Sequence, residues 1–257
     1  MFLVASRAIY TGAIGLFCLI FLLGLLVCTT SPAQGLQGLQ AFSSGGTGST
    51  PAAPWRVVAL PAGKIPATQF DIVPLDGRQV LRVQADQSYA NLSHATTQDM
   101  GTAQLQWSWR LDQPLAHADL RRKDGDDVAI KVCALFDLPL EKIGFLERNL
   151  LRLARSQTGE HLPGATLCYI WDPSLAVGSL VPNAYTRRVR YLVLDSGASP
   201  LAQWSAHSRN LGKDFLQAFG DDTDTVPPLL SIVVGADADN TRGHSLAYVG
   251  DVSLVKQ

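Results

Sequence analysis

Five aspartates fall in two short turn-like segments that separate apolar runs. The first segment is Asp124-Gly125-Asp126-Asp127, and the second runs from Asp237 to Gly243. Closely spaced carboxylate oxygens on turns can bind calcium, a hard cation. A further carboxylate, Asp251, can approach them if the last strand pairs near the core strands. The sequence therefore predicts a structural calcium site formed by Asp126, Asp127, Asp237, Asp239 and Asp251.

The same aspartates fit two other roles. Aspartate in a turn often accepts hydrogen bonds from nearby backbone amides, so these clusters can simply brace strand ends. Two carboxyl groups such as those of Asp126 and Asp239 can also hydrolyse glycosidic bonds when they stand at the required separation. The second segment is not a helix-loop-helix calcium loop, because Arg242 occupies the glycine position of such a loop. The enzymatic alternative is a polysaccharide hydrolase that uses Asp126, Asp127, Asp237 and Asp239.

Other catalytic signatures are missing from the sequence. It contains no GxSxG elbow, no HExxH pair and no P-loop, and its 5 histidines are scattered. A formal net charge of -1 argues against a nucleic-acid binder of the basic-patch type. These observations favour a non-catalytic ligand-binding protein, with a hydrolase or a structural envelope module as alternatives.

Alternating apolar and polar residues predict the strands that position these groups. Trp107 and Trp109 share one face of such a run, while Ser108 and Arg110 share the other. Short runs of this kind recur as far as the C-terminus, separated by Gly, Pro, Asp and Asn, which is typical of an antiparallel β-sandwich or barrel. The predicted strands cover residues 55–60, 69–73, 79–85, 88–93, 105–111, 128–136, 166–171, 188–195, 230–235 and 245–254.

Two helices interrupt the strands. Apolar residues recur every three or four positions from Leu140 to Leu153, which predicts an amphipathic helix that Asp137 can cap. Its leucine stripe is expected to meet the core and close one end of the sandwich. A lid or a membrane-surface helix is the alternative, since Arg148, Arg152 and Arg155 lie between the leucines. A short second helix over residues 213–219 ends at Gly220.

Strand parity predicts a polar, basic strip on the outer face of one sheet. Such a strip can receive a sugar, a carboxylate or an anionic polymer, although a solvated sheet face has the same pattern. Tryptophans beside it can stack against a ligand. The predicted ligand-binding residues are Arg110, Lys131, Arg190, Trp171 and Trp204.

The N-terminal region differs from the rest in composition. Residues 1–33 contain a long apolar run after Arg7, which predicts a signal peptide or an N-terminal membrane anchor. Residues 34–54 carry no charge and are predicted to be a flexible linker, and residues 55–257 the folded domain. The protein is thus expected in the periplasm or secreted, with membrane contact only through this segment. An exported compartment permits a disulfide between Cys133 and Cys168, and two buried free thiols are the alternative.

Five blocks in the predicted domain resemble a known family. They are WSWRL, KDGDDVAIKVCALFD, LPGATLCYIWD, RNLGKDFLQAFG and GADADNTRGHSLAYVGDV. Together they are similar to the bacterial proteins grouped as domain of unknown function 3047, and this resemblance covers Trp55 to the C-terminus. It implies an exported protein and leaves the activity open.

A more distant likeness to the jelly-roll sandwiches of carbohydrate-binding modules, several of which hold a structural calcium, implies a jelly-roll fold. The sandwich pattern, the apolar export segment and the missing catalytic signatures favour a glycan or another envelope component as the partner. Cys133 and Cys168 stand where the family is expected to have tyrosine and asparagine, and this departure favours a disulfide.

Overall fold

The computed structural model describes residues 38–60, 65–98, 103–158, 162–197 and 199–256. The predicted signal peptide or anchor lies outside these residues. Within them, none of the helices is long and apolar enough to cross a membrane.

The described chain folds into two sheets and two α-helices. The helices are α1 (Phe145–Thr158) and α2 (Leu211–Phe219). The strands are β1 (Arg56–Ala59), β2 (Gln69–Leu75), β3 (Arg78–Asp86), β4 (Tyr89–Gln98), β5 (Ala103–Gln113), β6 (Val128–Phe136), β7 (Ala165–Asp172), β8 (Leu180–Pro182), β9 (Val189–Ser196), β10 (Trp204–Asn210), β11 (Leu229–Asp237), β12 (His244–Val249) and β13 (Ser253–Lys256).

The two sheets form a β-sandwich of jelly-roll type, which confirms the predicted fold class. One sheet has seven strands in the order β1-β4-β11-β6-β7-β9-β8. The other has six, in the order β10-β5-β12-β3-β2, with β13 also paired to β5. The described pairs are antiparallel except β7 with β9, which is parallel. The chain crosses to the edge strand β8 after β7, and β9 then returns between them, so β9 runs in the direction of β7.

The main core lies between the sheets and contains side chains from both. On β6, Val132 and Ala134 belong to this core, whereas Cys133 belongs to a second apolar cluster on the opposite face of the same sheet. Because successive side chains of a strand point to opposite faces, the seven-stranded sheet is apolar on both sides over part of its area. This second face carries the candidate site.

Helix α1 departs from the prediction. It begins at Phe145, while residues 140–142 form a separate 3-10 turn, so Asp137 does not cap it. The first part of the predicted stripe does meet the core, since Ile143 is buried in it, but the leucines within the helix face away, with Leu146, Leu150 and Leu153 exposed by 77%, 65% and 54%. Leu151, on another side of the helix, packs against the main core, and two polar residues also attach the helix. Glu147 pairs with Arg188 at 3.0 Å, and the Arg155 guanidinium donates to the carbonyl oxygen of Leu162.

Helix α2 confirms the second predicted helix and starts two residues earlier than predicted. The Asn210 side chain accepts a hydrogen bond from the backbone N–H of Lys213, which is an N-cap. Phe215 and Phe219 are fully buried and attach the helix to the core.

Residues 38–54 of the predicted linker pack against the sandwich. Phe42 is 2% exposed and its ring centroid lies 4.9 Å from that of Trp55. The backbone N–H and the hydroxyl of Ser43 donate to the Asp251 carboxylate at 2.8 and 2.6 Å. The folded region therefore starts before Trp55. A single buried phenylalanine among small, uncharged residues was too weak a pattern to indicate this.

A cleft on the outer face of the seven-stranded sheet

A cleft of about 620 Å³ lies on the outer face of the seven-stranded sheet. Six strands contribute side chains to it, namely β1, β4, β11, β6, β7 and β9. The turns after β11, before β6 and after β8 form one polar end. Its remaining surface is largely apolar. Concave sites of this size, with apolar walls and a few polar groups, are typical of ligand-binding sites.

The floor of the cleft contains a disulfide bond. Cys133 on β6 and Cys168 on β7 lie directly opposite each other in the antiparallel pair, and the structure joins them. Of the two alternatives left open by the sequence, the structure thus has the disulfide. Val233 and Leu135 extend this apolar floor on the neighbouring strand positions.

A buried ion pair stands beside the disulfide. The Lys131 Nζ lies 3.0 Å from the Asp237 Oδ2, and the two side chains are 7% and 8% exposed. Asp237 Oδ1 also accepts the Val128 backbone N–H at 2.7 Å. Burial acts to lower the pKa of Lys131, but the charge and hydrogen bond of the Asp237 carboxylate, together with Tyr89 and Asp126, outweigh it, so the pKa is raised. Burial raises the pKa of Asp237, opposed by Lys131. The Lys131 ammonium therefore already has a carboxylate partner within the protein.

Asp126 is the one carboxylate of the cleft that is both buried and, among the described residues, incompletely hydrogen-bonded. It is 6% exposed, and its Oδ2 accepts a hydrogen bond from Asn183 Nδ2 at 2.5 Å. Its Oδ1 has no hydrogen-bond partner in the described part of the protein. Burial raises the pKa of Asp126 to about 6, opposed by the bond from Asn183. An unsatisfied buried acceptor costs folding free energy, so a donor that reached this oxygen would stabilise the folded protein.

Asn91 presents a second unsatisfied acceptor on the other side of the cleft. Its Nδ2 donates to the Tyr89 hydroxyl at 3.0 Å, whereas its Oδ1 is buried without a partner in the described residues. A Cβ at Gly235 would lie 2.5 Å from this oxygen. Glycine at this position therefore leaves the space that the Asn91 amide occupies.

Tyrosines surround the polar end. Tyr191 is buried and its hydroxyl accepts from Asn183 Nδ2 at 3.0 Å, which holds the Asn183 amide beside Asp126. Tyr185 is 58% exposed at the rim, and its hydroxyl donates to the Lys123 carbonyl oxygen at 3.0 Å. Asp239 is half-buried at the same end, where burial and then the nearby Asp127 and Asp237 carboxylates raise its pKa.

The structure brings together four of the five predicted calcium ligands, but in two of them both carboxylate oxygens accept hydrogen bonds from the protein itself. Asp127 accepts from the backbone N–H groups of Asn240 and Thr241 at 3.1 and 2.7 Å, and from the Thr241 hydroxyl. Asp237 is held by Lys131 and Val128. Asp251 lies away from them, bonded to Ser43. Among the described residues, no group of three or more His, Cys, Asp or Glu side chains is arranged to hold a metal ion. Asp127 and Asp251 thus brace the fold.

The predicted basic strip does not form. Arg110 lies on β5 of the six-stranded sheet and pairs with Asp112 and Asp76. Arg190 points to the core side of β9, where it pairs with Asp221 and Asp222 beside helix α2. Of the three predicted basic residues, Lys131 alone lines the cleft.

The two predicted stacking tryptophans also lie elsewhere. Trp171 is 6% exposed and belongs to the main core. Trp204 is on β10, where its Nε1 donates to Asp76 at 2.8 Å and the Arg78 guanidinium covers its ring at 3.9 Å. The aromatic residues that do line the cleft are Tyr89, Tyr185 and Tyr191.

Replacing Asp126 should stabilise the protein in a pH-dependent way. With its folded pKa near 6 and the ordinary value 3.8, stability falls as the pH rises from about 4 to about 6, because the unfolded state loses its proton first. Asp126→Asn removes this penalty. We expect a gain in unfolding free energy of at most about 3 kcal/mol near pH 7, at ~1.4 kcal/mol per pKa unit. The gain should shrink to nearly zero below about pH 4. Urea unfolding of both proteins across this range measures it, and a pH-independent difference would contradict it.

Several solved structures are similar in fold to this chain. The family 30 carbohydrate-binding module of a cellulosomal cellulase of Clostridium thermocellum is 10% identical, with a TM-score of 0.38 over 86% of this chain and 99% of that one. Endoglucanase 3 from family GH12 of Trichoderma harzianum is 10% identical, with a TM-score of 0.40 over 80% and 99%. The cellulose-induced protein Cip1 is 11% identical, with a TM-score of 0.39 over 79% and 91%. No curated protein matches the sequence significantly.

Residues 53–253 match the model of a family described as "Protein of unknown function (DUF3047)". This range contains strands β1 to β12, both helices and all the residues of the cleft named above. The chain therefore belongs to the DUF3047 family.

Proposed function

We propose that this protein is a non-catalytic β-sandwich that binds a glycan in the cleft. The observation that carries the proposal is the unsatisfied Oδ1 of Asp126, buried at the polar end of a preformed cleft. A carboxylate held there at a cost to stability suits a site in which a ligand supplies the missing donor. Hydroxyl-rich molecules are the natural class of ligand for such an acceptor.

The rest of the cleft suits the other surfaces of a sugar. Asn91 supplies a second acceptor, and the rings of Tyr89 and Tyr185 offer aromatic faces. The apolar floor around Cys133 and Cys168 can receive the C–H face of a pyranose ring. Polar groups at one end and apolar groups along the floor thus match the two kinds of surface that a glycan presents.

Tyr185→Ala should weaken glycan binding at least about tenfold, since it removes the most exposed aromatic face of the cleft and costs about 1.4 kcal/mol of binding free energy. Glycan-array screening followed by calorimetry of the whole protein measures this effect. Tyr248→Ala is the matched control, because Tyr248 is a partly exposed tyrosine of the six-stranded sheet. Equal binding by the two variants, or no glycan bound at all, would contradict the proposal.

Hydrolysis of a polysaccharide is the second function that a specific observation favours. Asp126 and Asp239 line the same cleft, and burial raises the pKa of both carboxyl groups, as a proton donor in glycoside hydrolysis requires. The other two aspartates of the predicted set, Asp127 and Asp237, are occupied by structural bonds. Incubation of each bound glycan with the protein distinguishes the functions: shortened products that Asp126→Asn abolishes would establish the enzyme.

An exported location accompanies this proposal. The apolar segment within residues 1–33 and the disulfide both support a periplasmic or secreted protein, because disulfides persist in oxidising compartments. A protein in this compartment would encounter the glycans of the envelope, so we propose an envelope glycan as the ligand. A purely structural role in the envelope is the remaining alternative, and a failure to bind any glycan would favour it.

A further inference from the structure

The described residues that line the cleft carry more negative than positive charge. Asp126, Asp237 and Asp239 are the carboxylates, and Lys131 is the single basic residue among them. Since Lys131 and Asp237 form an ion pair, they neutralise each other. The carboxylates of Asp126 and Asp239 remain without a basic residue in the described lining. When both are ionised, they disfavour an anionic ligand.

Asp126 is suited to a charged donor. An ionised carboxylate is an acceptor only, and hydrogen bonds from a cation to a carboxylate are about twice as strong as neutral ones. An ammonium group beside the free Oδ1 would supply both the missing hydrogen bond and the missing positive charge. A hydroxyl would supply only the first, and a carboxylate neither.

Two aromatic rings of the cleft already have an ammonium group of the chain beside them. The Lys131 Nζ lies 5.1 Å from the ring centroid of Tyr89, and the Lys123 Nζ lies 5.1 Å from that of Tyr185. Ammonium groups are attracted to the negative face of an aromatic ring. These contacts are internal to the protein, so the preference for a charged donor rests on the Asp126 and Asp239 carboxylates.

We infer that the cleft prefers a glycan with a free ammonium group, an amino sugar, over neutral or acidic glycans. This inference rests on the proposed function and narrows its ligand class. It differs from the sugar, carboxylate or anionic polymer expected for the predicted basic strip, because Arg110 and Arg190 do not reach this cleft.

The pH dependence of this preference follows from the same groups. The carboxylates of Asp127 and Asp237, the Lys131 ammonium, Asn183 and the Tyr191 hydroxyl surround Asp126. The preference should fade below about pH 6, where Asp126 becomes neutral. An amine gains protons over the same interval. An amine attracted only by the general negative charge of the surface would therefore bind more tightly, not more weakly, as the pH falls through this interval.

Calorimetric titration of the protein at low salt and about pH 6.5 tests the inference. The probes are oligomers of matched length made of glucosamine, N-acetylglucosamine, glucose and galacturonic acid. We expect the glucosamine oligomer to bind at least about tenfold tighter than its N-acetylated form, which is about 1.4 kcal/mol. The galacturonic acid oligomer should bind most weakly. Added salt should reduce the difference.

Asp126→Asn should remove the preference for glucosamine while keeping the binding of the N-acetylated oligomer. Asp86→Asn, at an exposed aspartate of the six-stranded sheet, is the matched control and should keep the preference. Near-ultraviolet circular dichroism checks that Asp126→Asn is folded, and Asp239→Asn replaces it if it is not. Equal or tighter binding of the N-acetylated or acidic oligomer overturns this inference alone. Failure of every oligomer to bind overturns the inference together with the proposed function.

Discussion

Lys131→Met should destabilise the protein by about 3–5 kcal/mol, because it leaves the buried Asp237 carboxylate without its counter-charge. Asp237 is 5% exposed, and in the described structure the Lys131 ammonium is the only charged group bonded to it. The backbone N–H of Val128 remains as a donor, but one amide does not replace the attraction of a full charge. A loss of this size lowers the Tm by on the order of 10 °C for a domain of 150–250 residues.

The double variant Lys131→Met, Asp237→Asn is the control for this prediction. An asparagine at 237 carries no charge, and its Oδ1 can still accept the Val128 N–H, so most of the lost stability should return. The single variant should also approach the parent protein in stability as the pH falls, because protonation of Asp237 removes the unpaired charge. Urea unfolding of the three proteins measures both effects. A loss below about 1 kcal/mol in the single variant would show that Asp237 is not desolvated as described.

This pair also shows the limit of predicting Lys131 as a ligand-binding residue from sequence. Strand parity correctly placed its side chain opposite the core face of β6. Parity does not reveal that Gly235 and Asp237 of the neighbouring β11 fall on the same face, because it contains no information on which strands pair. The register of β11 against β6 places Asp237 beside Lys131, so the lysine is paired rather than free.

The strands were predictable from sequence wherever one face is apolar and the other polar. The edge strand β8 has only three residues, and β10, Trp204–Asn210, has few apolar side chains, so neither gave an alternating pattern. β10 forms because its backbone pairs with β5 along seven residues. Pairing of this kind depends on the tertiary fold rather than on a local pattern.

The position of Arg190 was not predictable for a related reason. On β9, Tyr191 and Val193 belong to the outer apolar cluster, while Leu192 belongs to the main core. A strand that is apolar on both faces gives no signal for which face is inner. The pattern therefore predicts Arg190 on the outer face, whereas the structure directs it toward the aspartates that follow helix α2 and leaves Tyr191 in the cleft.

The leucine stripe of α1 shows the same limit. Spacing established that the helix is amphipathic, but it does not reveal the tertiary contacts that attach the helix, such as the pairing of Glu147 with Arg188. Asp126, Asp237 and Asp239 of the predicted aspartates lie at one end of the cleft, whereas Tyr185 and Asn183, which complete this end, stand in a turn with no distinguishing pattern.

Reduction of the disulfide should lower the free energy of unfolding by about 4 kcal/mol. Cys133 and Cys168 are separated by 35 residues, and without the bond between them the unfolded chain regains the conformational entropy that the closed loop had removed. The loop includes helix α1 and joins two central strands of the larger sheet, so it constrains much of the unfolded chain. Thermal unfolding with and without a reductant, after thiol titration has verified reduction, measures the change. A fall in Tm on the order of 10 °C is expected.

The double variant Cys133→Ser, Cys168→Ser is the control, since its Tm should already be low and should not respond to the reductant. Its glycan binding addresses the floor of the cleft separately from stability. If the disulfide serves only the fold, binding measured well below the lowered Tm should equal that of the parent. Since Cys133 and Cys168 line the cleft, we expect binding to weaken as well, because the apolar surface that faces the ligand gains two hydroxyl groups. Unchanged binding would show that the floor does not contact the ligand.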